Sequence, residues 1–313
     1  MTVFARFSII YLIFAIVTTV VLYGFSFGHL MEIGFLATDL IKYMGAGPWV
    51  MWLFPVLVYY VVRHPARISE ALYGFIATIA LVCAYTLMKG TIPVLVPYWA
   101  DGMFAQWDLA LHGGVAPWEL SHRLSAYIDT DGAVRTYSGF WGAFAFSFPA
   151  FLALSDQDPA RKVRFLALYA LAWILIGNVI ATAFSSVGPI YIDRYYGGDA
   201  FAPMIASLKD LTFPGTSVDA LQTRLWEALV TDDGMNTGGA AISAFPSMHV
   251  AIAAVWAVYM TERSWFFAPV AIAFAVTILF LSVYTGWHYA VDGYASIVCV
   301  LVLYAALRQL FKK

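Results

Sequence analysis

Two short polar stretches carry the residue types that do chemistry near neutral pH. One is Ala244-Phe245-Pro246-Ser247-Met248-His249; the other is Ser282-Val283-Tyr284-Thr285-Gly286-Trp287-His288-Tyr289-Ala290-Val291-Asp292. His288 and Asp292 are spaced i,i+4, which on a helix places them on one face. Imidazole attacks phosphorus or carries a proton near pH 7, so one histidine suits a nucleophile and the other an acid for the leaving oxygen. A carboxylate on the far ring nitrogen fixes the tautomer and stabilises positive charge on the ring. Pro246 followed by Ser247 marks a helix start, whose free N–H groups and positive dipole end suit phosphate. A metal site is the rival reading, with His249, His288 and Asp292 as three ligands. The remaining histidines, His29, His64, His112 and His122, read as membrane-interface residues.

The elements that must position these groups are membrane spans. The chain is 62% hydrophobic and 12% charged, against roughly 45–50% and about 25% in soluble domains. That much apolar surface exceeds what one core can hide. Apolar runs near 7–27, 47–62, 70–88, 138–154, 165–185, 247–260, 266–284 and 289–308 are candidates to cross a hydrocarbon layer of about 30 Å. Some are short or rich in Gly and Ser, so the expected number is six to eight. The first run reads as a retained span, because its apolar stretch is long for a signal peptide and ends without a cleavage signature. Cys83 and Cys299 both lie in apolar runs and read as packing residues.

With eight spans, ten of the seventeen Lys and Arg residues fall on the side of the N-terminus, in short segments. Short basic loops stay cytoplasmic. Both termini are therefore expected inside, and both histidine motifs outside, on a periplasmic, luminal or exterior face. Two long outer segments remain, 89–137 and 186–243. The first should form short helices: Asp101 reads as the cap of one ending at Gly113-Gly114, and Pro117 as the first turn of another. Apolar residues on one side, with Asp108, Glu119 and Arg123 on the other, fit helices lying in the interface. The second segment runs into the His249 motif and is expected to cover the site.

The two motifs resemble a known family. Pro246-Ser247-Met248-His249 is similar to the Pro-Ser-Gly-His motif of the type-2 phosphatidic acid phosphatase (PAP2) superfamily, and His288-Tyr289-Ala290-Val291-Asp292 to its last motif, His-x-x-x-Asp. The resemblance implies an all-α polytopic fold with a six-helix core. Residues 69–313 would then be the catalytic membrane domain and residues 1–68 an extra N-terminal transmembrane hairpin. It implies cleavage of lipid phosphates or diphosphates, or movement of phospho-head-groups between lipids, without metal or other cofactor. It makes His288 the nucleophile that forms a phospho-histidine, Asp292 its orienting group, and His249 the general acid and base. Ser247, Met248 and Gly286 occupy motif positions around the phosphate.

The departures concern the cations. An Arg usually stands six residues before the nucleophile, where this chain has Ser282. The first family motif, Lys, six residues, then Arg-Pro, is matched at Lys89 and Pro97 but has Val96 in place of Arg. If the core is the last six spans, that motif falls instead at Gly188-Pro189-Ile190-Tyr191-Ile192-Asp193-Arg194. Lys89 and Arg194 are thus the two candidate phosphate cations, and each also reads as an interface anchor that snorkels. Met248 in place of Gly, and the Asp108…His112-Gly113-Gly114…Pro117-Trp118 stretch, resemble the inositol phosphorylceramide synthase branch. By that resemblance Asp108, His112 and Tyr191 belong to a substrate lid. The expected partners are a phospholipid donor, a lipid or polyol acceptor and the bilayer, not nucleic acid. Water as acceptor makes a phosphatase, an alcohol a head-group transferase. A non-catalytic lipid transporter is the alternative from another class, favoured by the missing motif arginine but short of polar residues within the spans.

Overall fold

The computed structural model describes residues 1–25, 31, 33–35, 37–38, 41–42, 50–211, 213–231 and 242–311. His29, and the part of the covering segment over 232–241, lie outside the described residues.

Among those residues every regular element is helical. Apolar helices come first because a backbone in lipid must satisfy its own N–H and C=O groups. Helix α1 spans Thr2–Tyr23, α2 Val50–Arg63 and α3 Ile68–Leu95. Two short helices follow, α4 over Asp101–Leu111 and α5 over Pro117–His122. Then come α6, Thr130–Ser155, and α7, Pro159–Ala183. Three more short helices, α8 Ile192–Tyr196, α9 Ala202–Asp210 and α10 Ser217–Val230, precede the last three. These are α11 Met248–Arg263, α12 Ala268–Tyr284 and α13 Ala290–Leu310.

A helix occurs at each of the eight apolar runs, but their lengths differ. Five of them, α1, α3 with its preceding turn, α6, α7 and α13, are long and apolar enough to cross a membrane. Helix α12 is a shorter apolar helix of 17 residues and α11 has 16. At a rise of about 1.5 Å per residue these two reach only about 24–26 Å. The polar motifs stand at their ends, one at the start of α11 and the other following the end of α12.

The basic residues at the far end from the histidines form a dense network. Arg161 pairs with Asp156 at 2.6 Å and Arg164 with Glu262, while Arg67 donates to the Asp156 carbonyl and Arg263 to Ser155. These contacts tie the ends of α3, α6, α7 and α11 together. Helix α1 packs along α3, and its Tyr11 hydroxyl donates to Asn178 of α7 at 2.6 Å.

Two helices widen where they pass the site. Residues Arg135–Phe140 of α6 and Ala172–Ile180 of α7 are π-helical. Such widened turns are frequent at functional sites, and both supply residues to the cavity described next.

Candidate active site

Ser247 caps α11 by accepting from the Val250 amide, and its own amide donates to the Asp292 carbonyl at 3.3 Å. Ser296 donates to the Ser247 carbonyl at 2.9 Å. The start of α11 is thereby locked to the start of α13, which brings His249 beside the His288 turn. The two imidazole centroids stand 6.5 Å apart. His288 Nδ1 is 3.2 Å from Asp292 Oδ2, which also accepts from the Tyr289 amide at 3.0 Å. His288 is 8% exposed and Asp292 fully buried. Asp292 thus engages Nδ1, and Nε2 is the ring nitrogen away from the carboxylate.

The turn that carries His288 depends on Gly286, whose φ of +74° belongs to the left-handed region. Its carbonyl accepts from the Ile190 amide, and the His288 amide donates to the Ser282 carbonyl. Gly286 is thus a turn residue. Ser282 is buried with its hydroxyl bonded to the Leu279 carbonyl, so it supports α12 and does not replace the missing arginine.

A cavity of about 460 Å³ lies over the cluster, lined by Lys89, Tyr137, Met248, His249 and His288 among others. Lys89 is therefore the cation that faces the site, and its charge bears on both imidazoles. Arg194 sits elsewhere: it is exposed, with its guanidinium 5.9 Å above the Trp226 ring. Met248 fits where the family pattern has Gly because Gly177 of α7 faces it; a Cβ there would come within 2.8 Å of the Met248 sulfur.

Burial pushes the His288 imidazole below its ordinary range. The Lys89 charge acts the same way, and the hydrogen bond to the Ala244 backbone opposes both. A ring with a lowered pKa stays neutral, and hence nucleophilic, until pH falls through that value. The acidic limb of kcat/KM that reports His288 is therefore expected below about 6.5. A pH–rate profile checks this, and a His288-dependent limb above pH 7 would contradict it.

His249 is held in a way the sequence did not announce. Its ring stacks between Tyr137, at 4.2 Å and 11°, and Trp141, at 3.9 Å and 29°. The Trp141 indole N–H donates to the His249 carbonyl at 2.8 Å. Aromatic faces on both sides fix the orientation of the ring. Among the described residues no group of three His, Cys, Asp or Glu is arranged to hold a metal ion.

The short helices support the site through two buried carboxylates. Asp108, 4% exposed, accepts from the Ala290 amide at 2.8 Å and the Val291 amide at 2.9 Å. It thereby caps α13 two residues from His288. Burial raises its pKa and the two amides oppose that. Asp108 is thus not on the polar face of an interfacial helix, because the first free amides of α13 need an acceptor. Asp108→Asn would leave one of those amides facing an NH2 group, and is expected to cost about 1–2 kcal/mol of stability and to slow turnover. Thermal melting and kcat measured together check this.

Asp101 does not cap its own helix either. Its carboxylate accepts from Ser186, from the Val187 and Gly188 amides, and from the Tyr196 and Tyr289 hydroxyls. It clasps the second outer segment to the first. His112 bonds the Asp108 carbonyl and the Tyr294 hydroxyl, joining α4 to α13 outside the cavity. Tyr191 is buried, donates to the Gln222 carbonyl and stacks on Trp226. It packs α8 against α10, whose residues Ser217, Leu221 and Leu225 line the cavity.

Fold and site together define a multi-pass helical membrane protein with a two-histidine, one-carboxylate cluster recessed at one end of its bundle. A family model described as PAP2 superfamily matches residues 136–306, more than half of the chain. The chain belongs to that superfamily, and membership implies activity of the lipid phosphatase or phosphotransferase type. No curated protein and no solved structure matches the chain.

Proposed function

We propose that the protein is a lipid phosphotransferase that moves a phosphorylated group from a phospholipid to a hydroxyl acceptor through a phospho-histidine at His288. The observation that carries this reading is the convergence of His288, His249 and Lys89 on one cavity. His288 Nε2 attacks phosphorus while the bond to the leaving oxygen breaks and His249 gives that oxygen a proton. An acceptor hydroxyl then returns a proton to His249, its oxygen bonds to phosphorus, and the bond to His288 breaks. Lys89 and the start of α11 face the negative charge that builds on the phosphoryl oxygens. Asp292 holds the ring and balances its positive charge.

Transfer is favoured over hydrolysis by the cover. Helix α10 and residues Ile242 and Ser243 roof the cavity, whose remaining lining is mostly apolar. A covered, apolar site keeps water from a phospho-enzyme. The basic residues at the end opposite the histidines support a site on the outer face. Mass spectrometry of products tests the reading. Phosphatidylinositol, phosphatidylglycerol or phosphatidic acid is supplied with and without ceramide or diacylglycerol, beside a His288→Ala control. A new phosphorylated lipid requiring both substrates establishes transfer, and a ceramide product the sphingolipid branch that Met248 resembles. Free phosphate alone makes the protein a phosphatase. No His288-dependent product from any donor returns the reading to a transporter.

The two candidate cations separate kinetically. Lys89→Ala is expected to lower kcat/KM by about tenfold to a hundredfold, the loss of one charged hydrogen bond, and Arg194→Ala to leave it within about twofold. Equal losses would contradict the placement of Lys89 as the phosphate cation.

A further inference from the structure

The cavity contains a donor that the family motifs do not account for. Tyr137, on the π-helical turn of α6, is 2% exposed and lines the cavity. Its hydroxyl is buried and has no hydrogen-bond partner among the described residues. Leaving such a group unpaired costs about 1–3 kcal/mol, so an orphan of this kind in a ligand cavity points to a ligand that pairs it. The ring is also fixed: it lies flat on the His249 imidazole, so the hydroxyl has a set position beside the proton-transfer residue.

The chemistry of the missing partner follows from the neighbours. At neutral pH a tyrosine hydroxyl is protonated and donates. The cavity already presents Lys89 and two imidazoles, a set that gathers an anion. The position where an arginine would bind phosphate is Ser282, which is turned into α12, and Arg194 is on the surface. A tetrahedral phosphoryl group therefore meets one ammonium and lacks the further donors a guanidinium fork would bring.

We propose that the Tyr137 hydroxyl is a substrate-binding catalytic residue that donates to a non-bridging oxygen of the transferred phosphoryl group, in the place of the motif arginine. The proposal rests on the phosphotransferase reading above. The widened turn of α6 delivers this side chain, so one segment both orients His249 and grips the group His249 protonates away from.

Tyr137→Phe tests it, because it keeps the stacked ring and removes only the hydroxyl. Orthovanadate serves as the phosphoryl probe, its binding to the full-length protein followed by quenching of the cavity tryptophans. Wild type is expected to bind it and Tyr137→Phe to bind about tenfold to a hundredfold more weakly, as for a lost hydrogen bond to a charged group, with a matching fall in kcat/KM. Without vanadate, the variant should melt at or above the wild-type temperature, since an unpaired buried hydroxyl has been removed. Equal vanadate affinity in the two proteins would overturn the proposal alone. A wild type that binds no vanadate would overturn the phosphoryl-site reading with it. A variant that melts well below wild type would show that the hydroxyl has a structural partner, which also overturns the proposal.

Discussion

His288→Ala is expected to abolish turnover, lowering kcat by about 10⁴-fold or more, the scale on which removal of a covalent nucleophile acts. The protein should remain folded. The turn carrying His288 is held by backbone bonds from His288 to Ser282 and from Ile190 to Gly286, and α13 keeps its Asp108 cap. Asp292 would still accept from the Tyr289 amide. The loss would thus be chemical, and vesicle-bound substrate should still be recognised through Lys89 and the start of α11. Comparing kcat with the melting temperature of the purified variant checks this. Turnover at the wild-type rate would remove His288 from the mechanism.

Asp292→Asn is expected to reduce kcat by about 10²- to 10⁴-fold with little change in KM, following the effect of neutralising a carboxylate that orients a catalytic imidazole. One oxygen of Asp292 serves both the His288 ring and the Tyr289 amide, and the other is buried with no partner among the described residues. An asparagine oxygen can replace the first, so the shape of the turn survives. What is lost is the negative charge that balances a phosphorylated imidazole. Single-turnover kinetics should show slow formation of the intermediate after normal binding. A variant within about threefold of wild type would reject the orienting role.

These two residues were legible in the sequence because their relation is local: an i,i+4 pair at a helix start needs no tertiary information. His249 was legible because Pro246-Ser247 announces a helix start. The spans were legible as apolar runs, though α12 begins only at Ala268 and is two residues shorter than its run. The choice between Lys89 and Arg194 was not legible, since it depends on which helix end faces the cavity. Asp101 and Asp108 were misplaced for the same reason. Each looks like a cap or an interface residue locally, yet their partners lie 85 to 188 residues away. The clamp of Tyr137 and Trp141 on His249 was hidden too, because it arises from a π-helical turn that shifts the register of α6. In an aromatic-rich membrane helix, a tyrosine and a tryptophan four residues apart carry no signal of their own.

The most direct test is to trap the enzyme during turnover. Full-length protein mixed with phosphatidic acid is quenched in alkali, which preserves phospho-histidine, and its peptides are mapped by mass spectrometry. The account predicts a phosphate adduct on His288 that forms more slowly in the Asp292→Asn variant and is absent from His288→Ala. Product formation with no adduct on His288, or with the adduct on another residue, would contradict it.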